Sequence, residues 1–130
     1  GAICSAGLII FMSGEKGHRI ITPNTSILSH QYSSCTGEGK EHELISIMSE
    51  FQYVSDRILN HYIACTGLSQ KIIKKELLGP SDRWLSEEEA LKYKICDEVR
   101  DLALPTDRDD GIVKKTSPKR RPRKRTTKGQ

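Results

Sequence analysis

The residues with the most chemical promise stand at the start of the chain. Gly1-Ala2-Ile3-Cys4-Ser5-Ala6-Gly7 runs into the apolar stretch Leu8-Ile9-Ile10-Phe11-Met12. Ser5 lies between small residues, with a glycine two places after it. Small neighbours let a sharp turn close, and the first turn of a helix offers unpaired N–H groups to a developing oxyanion. That is a setting for a serine nucleophile. Only half of the G-x-S-x-G elbow is present, because Ile3 stands where the first glycine belongs. On this stretch alone the simpler reading is a serine in the first turn of a buried helix, and both readings stay open. His30 closes the run Ser26-Ile27-Leu28-Ser29-His30 as a lone histidine, ordinarily a surface or hydrogen-bonded residue. Cys4, Cys35, Cys65 and Cys96 form no C-x-x-C pair and no Cys/His cluster with zinc spacing. No G-x-x-x-x-G-K-[ST] segment occurs, so no ATP site is expected in this chain.

These residues need elements to hold them. Ser5 to Ser13 reads as a short helix, apolar all round and therefore buried on every side, stopped by Gly14. Burial of that kind calls for more protein than the chain supplies, and an opening inside an apolar element suggests a missing upstream part. Arg19-Ile20-Ile21 is a short β-branched run closed by the turn pair Pro23-Asn24, and Ser26 to His30 is a second strand. Gln31 to Gly39 is a flexible polar segment. From Lys40 to Thr66, Leu44, Ile47, Met48, Phe51, Val54, Ile58 and Tyr62 recur at three and four residues, one stripe along a helix of about seven turns. That stripe is expected to pack into the core, and Gly67 ends the helix. Ser69 caps another helix with Ile72, Ile73 and Leu77 on one side and Lys71, Lys74 and Lys75 on another, expected to be a solvated face. Leu78-Gly79-Pro80 breaks it, and Ser81 to Leu85 is expected as a loop. Ser86 and Glu89 make a capping box for a short helix up to about Tyr93, and Ile95 to Val99 reads as a closing strand. Alternating short strands and helices point to an α/β layered domain.

Charge is distributed unevenly. The formal net charge is +4, yet nine of the 21 basic residues lie between Lys114 and Lys128, where there is no acid. Up to Gly111, twelve basic residues face all 17 acidic ones, a net of −5. The chain is an acidic body with a basic tail, so its overall charge is no argument for nucleic-acid binding. The tail, rich in proline and lysine and without apolar side chains, is expected to be disordered. Residues 1–102 are taken as the domain and 103–130 as linker and tail. The apolar run from Ile3 to Met12 is too short to span a bilayer and follows no basic segment, so neither a membrane anchor nor a signal peptide is expected. Cysteines in apolar or helical contexts suit a reducing, cytoplasmic compartment.

Four segments together resemble the Clp protease proteolytic subunit family, the ClpP-type serine peptidases. Gly1 to Gly7 looks like the family's G-x-A-x-S-x-G nucleophile segment. Pro23-Asn24 leading to His30-Gln31 looks like its strand ending in His-Gln. Thr66-Gly67 closes the long helix as His-Thr-Gly does there. Asp82-Arg83-Trp84-Leu85-Ser86 with Glu89-Ala90, Tyr93 and Asp97-Glu98-Val99 looks like its D-R-W/F-x-S-x-x-E-A-x-x-Y-G-x-x-D segment. The match covers roughly residues 1–102 in order and spacing. The resemblance implies a ClpP/crotonase-like layered fold with Ser5 as nucleophile, His30 as general base, Asp82 as the carboxylate orienting it, and the Ala6 N–H as one oxyanion donor. The other donor belongs to an upstream Gly-rich turn that this chain does not contain, so the chain alone is expected to be inactive. It further implies stacked heptameric rings of like subunits, an AAA+ Clp unfoldase that uses the ATP, and unfolded polypeptides as substrates. Gln31 to Gly39 and the long helix would form the handle between rings. Tyr32 replaces a proline, Lys94 a glycine, and Leu78-Gly79-Pro80 lengthens the approach to Asp82. Alternatives are a non-catalytic ring subunit or scaffold, a weak nucleic-acid binder acting through residues 114–128, and a crotonase-like hydratase or signal-peptide peptidase.

Overall fold

A computed structural model describes residues 1–35 and 37–101. In chain order the elements are β1 (Ala2–Cys4), α1 (Ala6–Met12), β2 (Ile20–Ile21), β3 (Ser26–Ser29), α2 (Glu41–Thr66), α3 (Gln70–Ile72) running on as a π-helical turn (Ile73–Leu77), β4 (Arg83–Leu85), α4 (Glu87–Lys92) and β5 (Glu98–Val99). The mixture is α/β, as expected. β3 is the middle of a three-stranded sheet, parallel to β1 and antiparallel to β4, while β2 pairs parallel with β5. Parallel partners need long connections, and α1 and α2 lie in those connections.

Several helix ends follow directly from side chains. Gly67 caps α2 at φ 70°, in the left-handed region, with its N–H on Ile63 O at 2.8 Å. Ser69 accepts from Ile72 N–H at the start of α3. The capping box of α4 forms as expected: Ser86 Oγ accepts from Glu89 N–H, and the Glu89 carboxylate accepts from Ser86 N–H, each at 3.2 Å. That glutamate also pairs with Arg83, which joins α4 to β4. Leu8, Met12, Ile27, Tyr62, Ile73, Leu77 and Ile95 fill the core beneath these elements.

Five expectations need correction. The chain begins in a strand, β1, and not only in a turn into a helix. Three residues are too few to show alternation, and pairing with β3 makes the strand. The expected loop from Ser81 to Leu85 contains β4, again a three-residue strand set by its partner. The helix α1 is not buried all round: Leu8 and Met12 are, but Ile10 is 74% exposed. The stripe on α2 packs into the core only at its C-terminal end. Residues 41–50 are all exposed, Met48 at 58%, and burial becomes complete only at Leu59, Tyr62 and Thr66. A periodic apolar stripe shows which face of a helix seeks cover, not whether the same chain supplies it. Finally, the closing strand is only Glu98–Val99, and Ile95 and Cys96 are buried in the turn before it. Residues 103–130 lie outside the described residues, and the expected disorder of the tail with them.

Candidate active site

The register of the central sheet brings three distant residues to one end of its strands. Cys4 pairs with Leu28, so the next residue, Ser5, leaves β1 beside the end of β3. Ser29 pairs with Arg83, so His30 and Asp82 follow one step further along the antiparallel pair. The Ser5 N–H still donates to Leu28 O at 3.2 Å, continuing the ladder. Its carbonyl already accepts from Leu8 N–H at 3.0 Å as α1 begins. Between these two commitments the backbone of Ser5 is held at φ 52°, ψ −120°. A residue with a Cβ rarely takes that conformation, and it costs on the order of 1–3 kcal/mol. The turn throws the side chain outward, and Ser5 is exposed. This is the geometry of a strand–turn–helix elbow, reached although Ile3 occupies its first glycine position.

Ser5 opens into a cavity of about 360 Å³ lined by Ala6, Ile9, Ile10, His30, Val54, Ile58 and Tyr62 among others. Val54, Ile58 and Tyr62 read from the sequence only as core residues of α2, and nothing in their spacing marked them as lining a cleft. Ala6 is the first residue of α1, so its N–H has no partner inside the helix, and the residue lines the same cleft. A second cavity of about 350 Å³ is lined by Leu28, Gln31, Gly79, Pro80 and Asp82 among others. His30, Gln31, Tyr32 and Ser33 line both cavities. Ser5 lines the first and Asp82 the second.

The hydrogen bonds of the three residues are less complete than their placement. His30 Nδ1 is 2.5 Å from Gln31 O. A carbonyl only accepts, so the ring carries its proton on Nδ1 in this contact and Nε2 is left as the acceptor. Among the described residues, no hydrogen bond joins His30 to Ser5 or to Asp82, and Asp82 is exposed. The backbone carbonyl of Gln31 therefore occupies the place that the resemblance gives to the Asp82 carboxylate. Among the described residues no group of three or more His, Cys, Asp or Glu side chains could hold a metal ion, and no helix is long and apolar enough to cross a membrane.

The most perturbed carboxylate lies elsewhere. Asp97 accepts from Gly17 N–H at 2.8 Å, Arg19 N–H at 3.0 Å and Arg19 Nε at 2.8 Å, and pairs with Arg19 Nη2 at 2.5 Å. The Arg19 guanidinium holds its carboxyl well below the usual carboxylate range. Arg19 is itself buried, and its Nη1 reaches Cys65 O at 3.2 Å at the end of α2. The pair joins the loop before β2 to β5 and to α2, a structural clamp remote from Ser5.

The sequence model of the Clp protease family matches residues 1–102. The chain belongs to the Clp protease family. It is 32% identical over 99 residues to the ATP-dependent Clp protease proteolytic subunit of Streptococcus thermophilus, covering 76% of this chain and 50% of that protein. Against the subunit of the same name from Deinococcus radiodurans it is 33% identical over 101 residues, 78% of this chain and 48% of that one. The Streptococcus suis subunit is 33% identical over 102 residues, 78% of this chain and 51% of its own. The chain spans about half the length of these curated relatives of the family.

Proposed function

We propose that this chain carries the triad of an ATP-dependent Clp-type serine endopeptidase subunit that cleaves unfolded polypeptides. The observation that supports it most is the end of the sheet to which three strands bring Ser5, strained into an elbow, His30 and Asp82. In the reaction, His30 Nε2 takes the proton of Ser5 Oγ as that oxygen bonds to the scissile carbonyl carbon. The oxyanion forms against the Ala6 N–H. The C–N bond then breaks, His30 returns the proton to the departing amine, and water releases the acyl group by the same route. The His30 ring leaves Gln31 O for Asp82 as the imidazolium develops, because a carboxylate stabilises that charge better than a neutral carbonyl. The apolar lining contributed by Ile9, Val54 and Ile58 favours an apolar side chain beside the cleaved bond.

The second oxyanion donor and the unfoldase contact belong to protein outside this chain, so the chain alone is inactive in this reading. The exposed apolar face of α2 suits the packing of like subunits into stacked heptameric rings. The unfoldase, not this chain, uses the ATP. The test is labelling by a fluorophosphonate serine probe on the protein joined to an upstream half of the family. Labelling is expected in the native protein and absent in Ser5→Ala. Equal labelling of the two, or none in either, overturns the proposal in favour of a ring subunit without catalysis.

A further inference from the structure

The residues on either side of His30 reach the same place. Ser29 Oγ donates to Leu77 O at 2.8 Å, and Gln31 Nε2 donates to Leu78 O at 3.0 Å. Leu77 ends the π-helical turn and Leu78 is its cap, with its N–H on Ile73 O, five residues back, at 2.8 Å. The last carbonyls of a helix have no partner within it and must find donors elsewhere. Here two successive carbonyls find theirs in the two residues that bracket the histidine. The Ser29 hydroxyl proton is committed to a carbonyl, so Tyr62 OH, 2.8 Å away, donates to Ser29 Oγ. Ser29 is 1% exposed and Tyr62 2%, so this chain of hydrogen bonds runs entirely inside the core. The signal in the sequence was slight: Ser29 stands two residues after Ile27 on the inward face of the strand, where an apolar residue is usual.

We propose that Ser29, Gln31 and Tyr62 are positioning residues that aim the His30 imidazole. They fasten both of its neighbours to the end of the helix from which the Asp82 loop departs. Leu77 and Leu78 O lie at the start of Gly79-Pro80-Ser81-Asp82, so one anchor sets histidine and carboxylate together. The Gln31 side chain also fixes the backbone whose carbonyl accepts from Nδ1–H, leaving Nε2 as the acceptor of the ring. π-Helical turns are frequent at functional sites, and here the device is the displaced pair of carbonyls that such a turn presents.

The inference rests on the reading of His30 as general base, and two measurements on the full chain separate them. The first is the tautomer of the His30 ring, read from its nitrogen NMR shifts and assigned by loss of the signals in His30→Gln. The second is the pH profile of Ser5 labelling by a fluorophosphonate in the subunit joined to an upstream half of the family. The unaltered protein is expected to hold the Nδ1–H form. Gln31→Ala and Ser29→Ala are expected to release it to a mixture of tautomers, displace the pH profile and slow labelling about 10–100-fold. Tyr62→Phe should act in the same direction, and Ser29→Thr, which keeps the hydroxyl, should restore the profile. An unchanged tautomer in Gln31→Ala and Ser29→Ala, both folded by circular dichroism, overturns the proposal. If Ser29→Ala unfolds, Gln31→Ala decides alone, since Gln31 is exposed. If Ser5 is never labelled, the peptidase reading falls, and the tautomer still decides whether the clamp exists.

Discussion

At the scale of single residues, two side chains among the described residues hold backbone conformations that glycine would take without strain. Ser5 at φ 52° is the first, and its hydroxyl is the reason to keep it. Ser5→Gly is expected to lose fluorophosphonate labelling and yet to raise stability by about 1 kcal/mol in urea denaturation. Lys94 at φ 56° is the second. It follows the C-cap of α4, where Ile95 N–H reaches back to Ala90 O at 2.9 Å, a closure that wants a left-handed residue. Lys94 touches no part of the cleft, so its strain has no catalytic return. Lys94→Gly is expected to stabilise by roughly 0.5–1 kcal/mol after the entropy lost by glycine, a rise of about 3–5 °C in Tm by calorimetry. The three candidate catalytic residues were legible only through their order and the Asp82 to Val99 segment that accompanies them. His30 by itself read as an ordinary strand-end histidine. That its Nδ1 faces Gln31 O depends on a rotamer, which no spacing encodes.

At the scale of elements, α2 carries the largest mismatch between what it offers and what this chain covers. Its 26 residues extend about 39 Å, and the first ten are exposed throughout. Leu44, Ile45, Ile47 and Met48 keep 36–59% of their surface in water. Left uncovered, such a patch favours association. Met48→Asp with Leu44→Asp is expected to leave helicity by circular dichroism intact and to shift sedimentation toward smaller species; an unchanged assembly would show that α2 is not a subunit contact. The element itself was plain in the sequence, because 3.6-residue periodicity over seven turns has few other causes. Its partnering was not, since the same periodicity serves a core and an interface. The short strands were harder for a different reason. β1 and β4 have three residues each, and exposed Trp84 in β4 resembles a loop residue until Leu28 is seen opposite it.

At the scale of the whole molecule, the Arg19–Asp97 pair binds sequence ends that are otherwise independent. Removing one member leaves the other charge buried without a partner, so Asp97→Ala is expected to cost about 3 kcal/mol in urea denaturation. The pH dependence follows from the direction of the shift. The folded-state pKa of Asp97 lies below its ordinary value of 3.8. Its contribution is therefore present in full above that value and drains away as the pH falls below it. Acid unfolding followed by circular dichroism should begin near pH 4, and in Asp97→Asn that part of the transition should disappear. The same contacts also order events in time. Asp97 lies 78 residues after Arg19, and β2 pairs with β5 over the same span. At the usual pace of synthesis those residues emerge roughly 4–16 s apart. For that interval Ile20 and Ile21 present an unpaired strand edge beside a guanidinium awaiting its counter-charge. A ribosome that pauses between the two holds a nascent chain in which β2 has no partner strand and Arg19 no counter-charge.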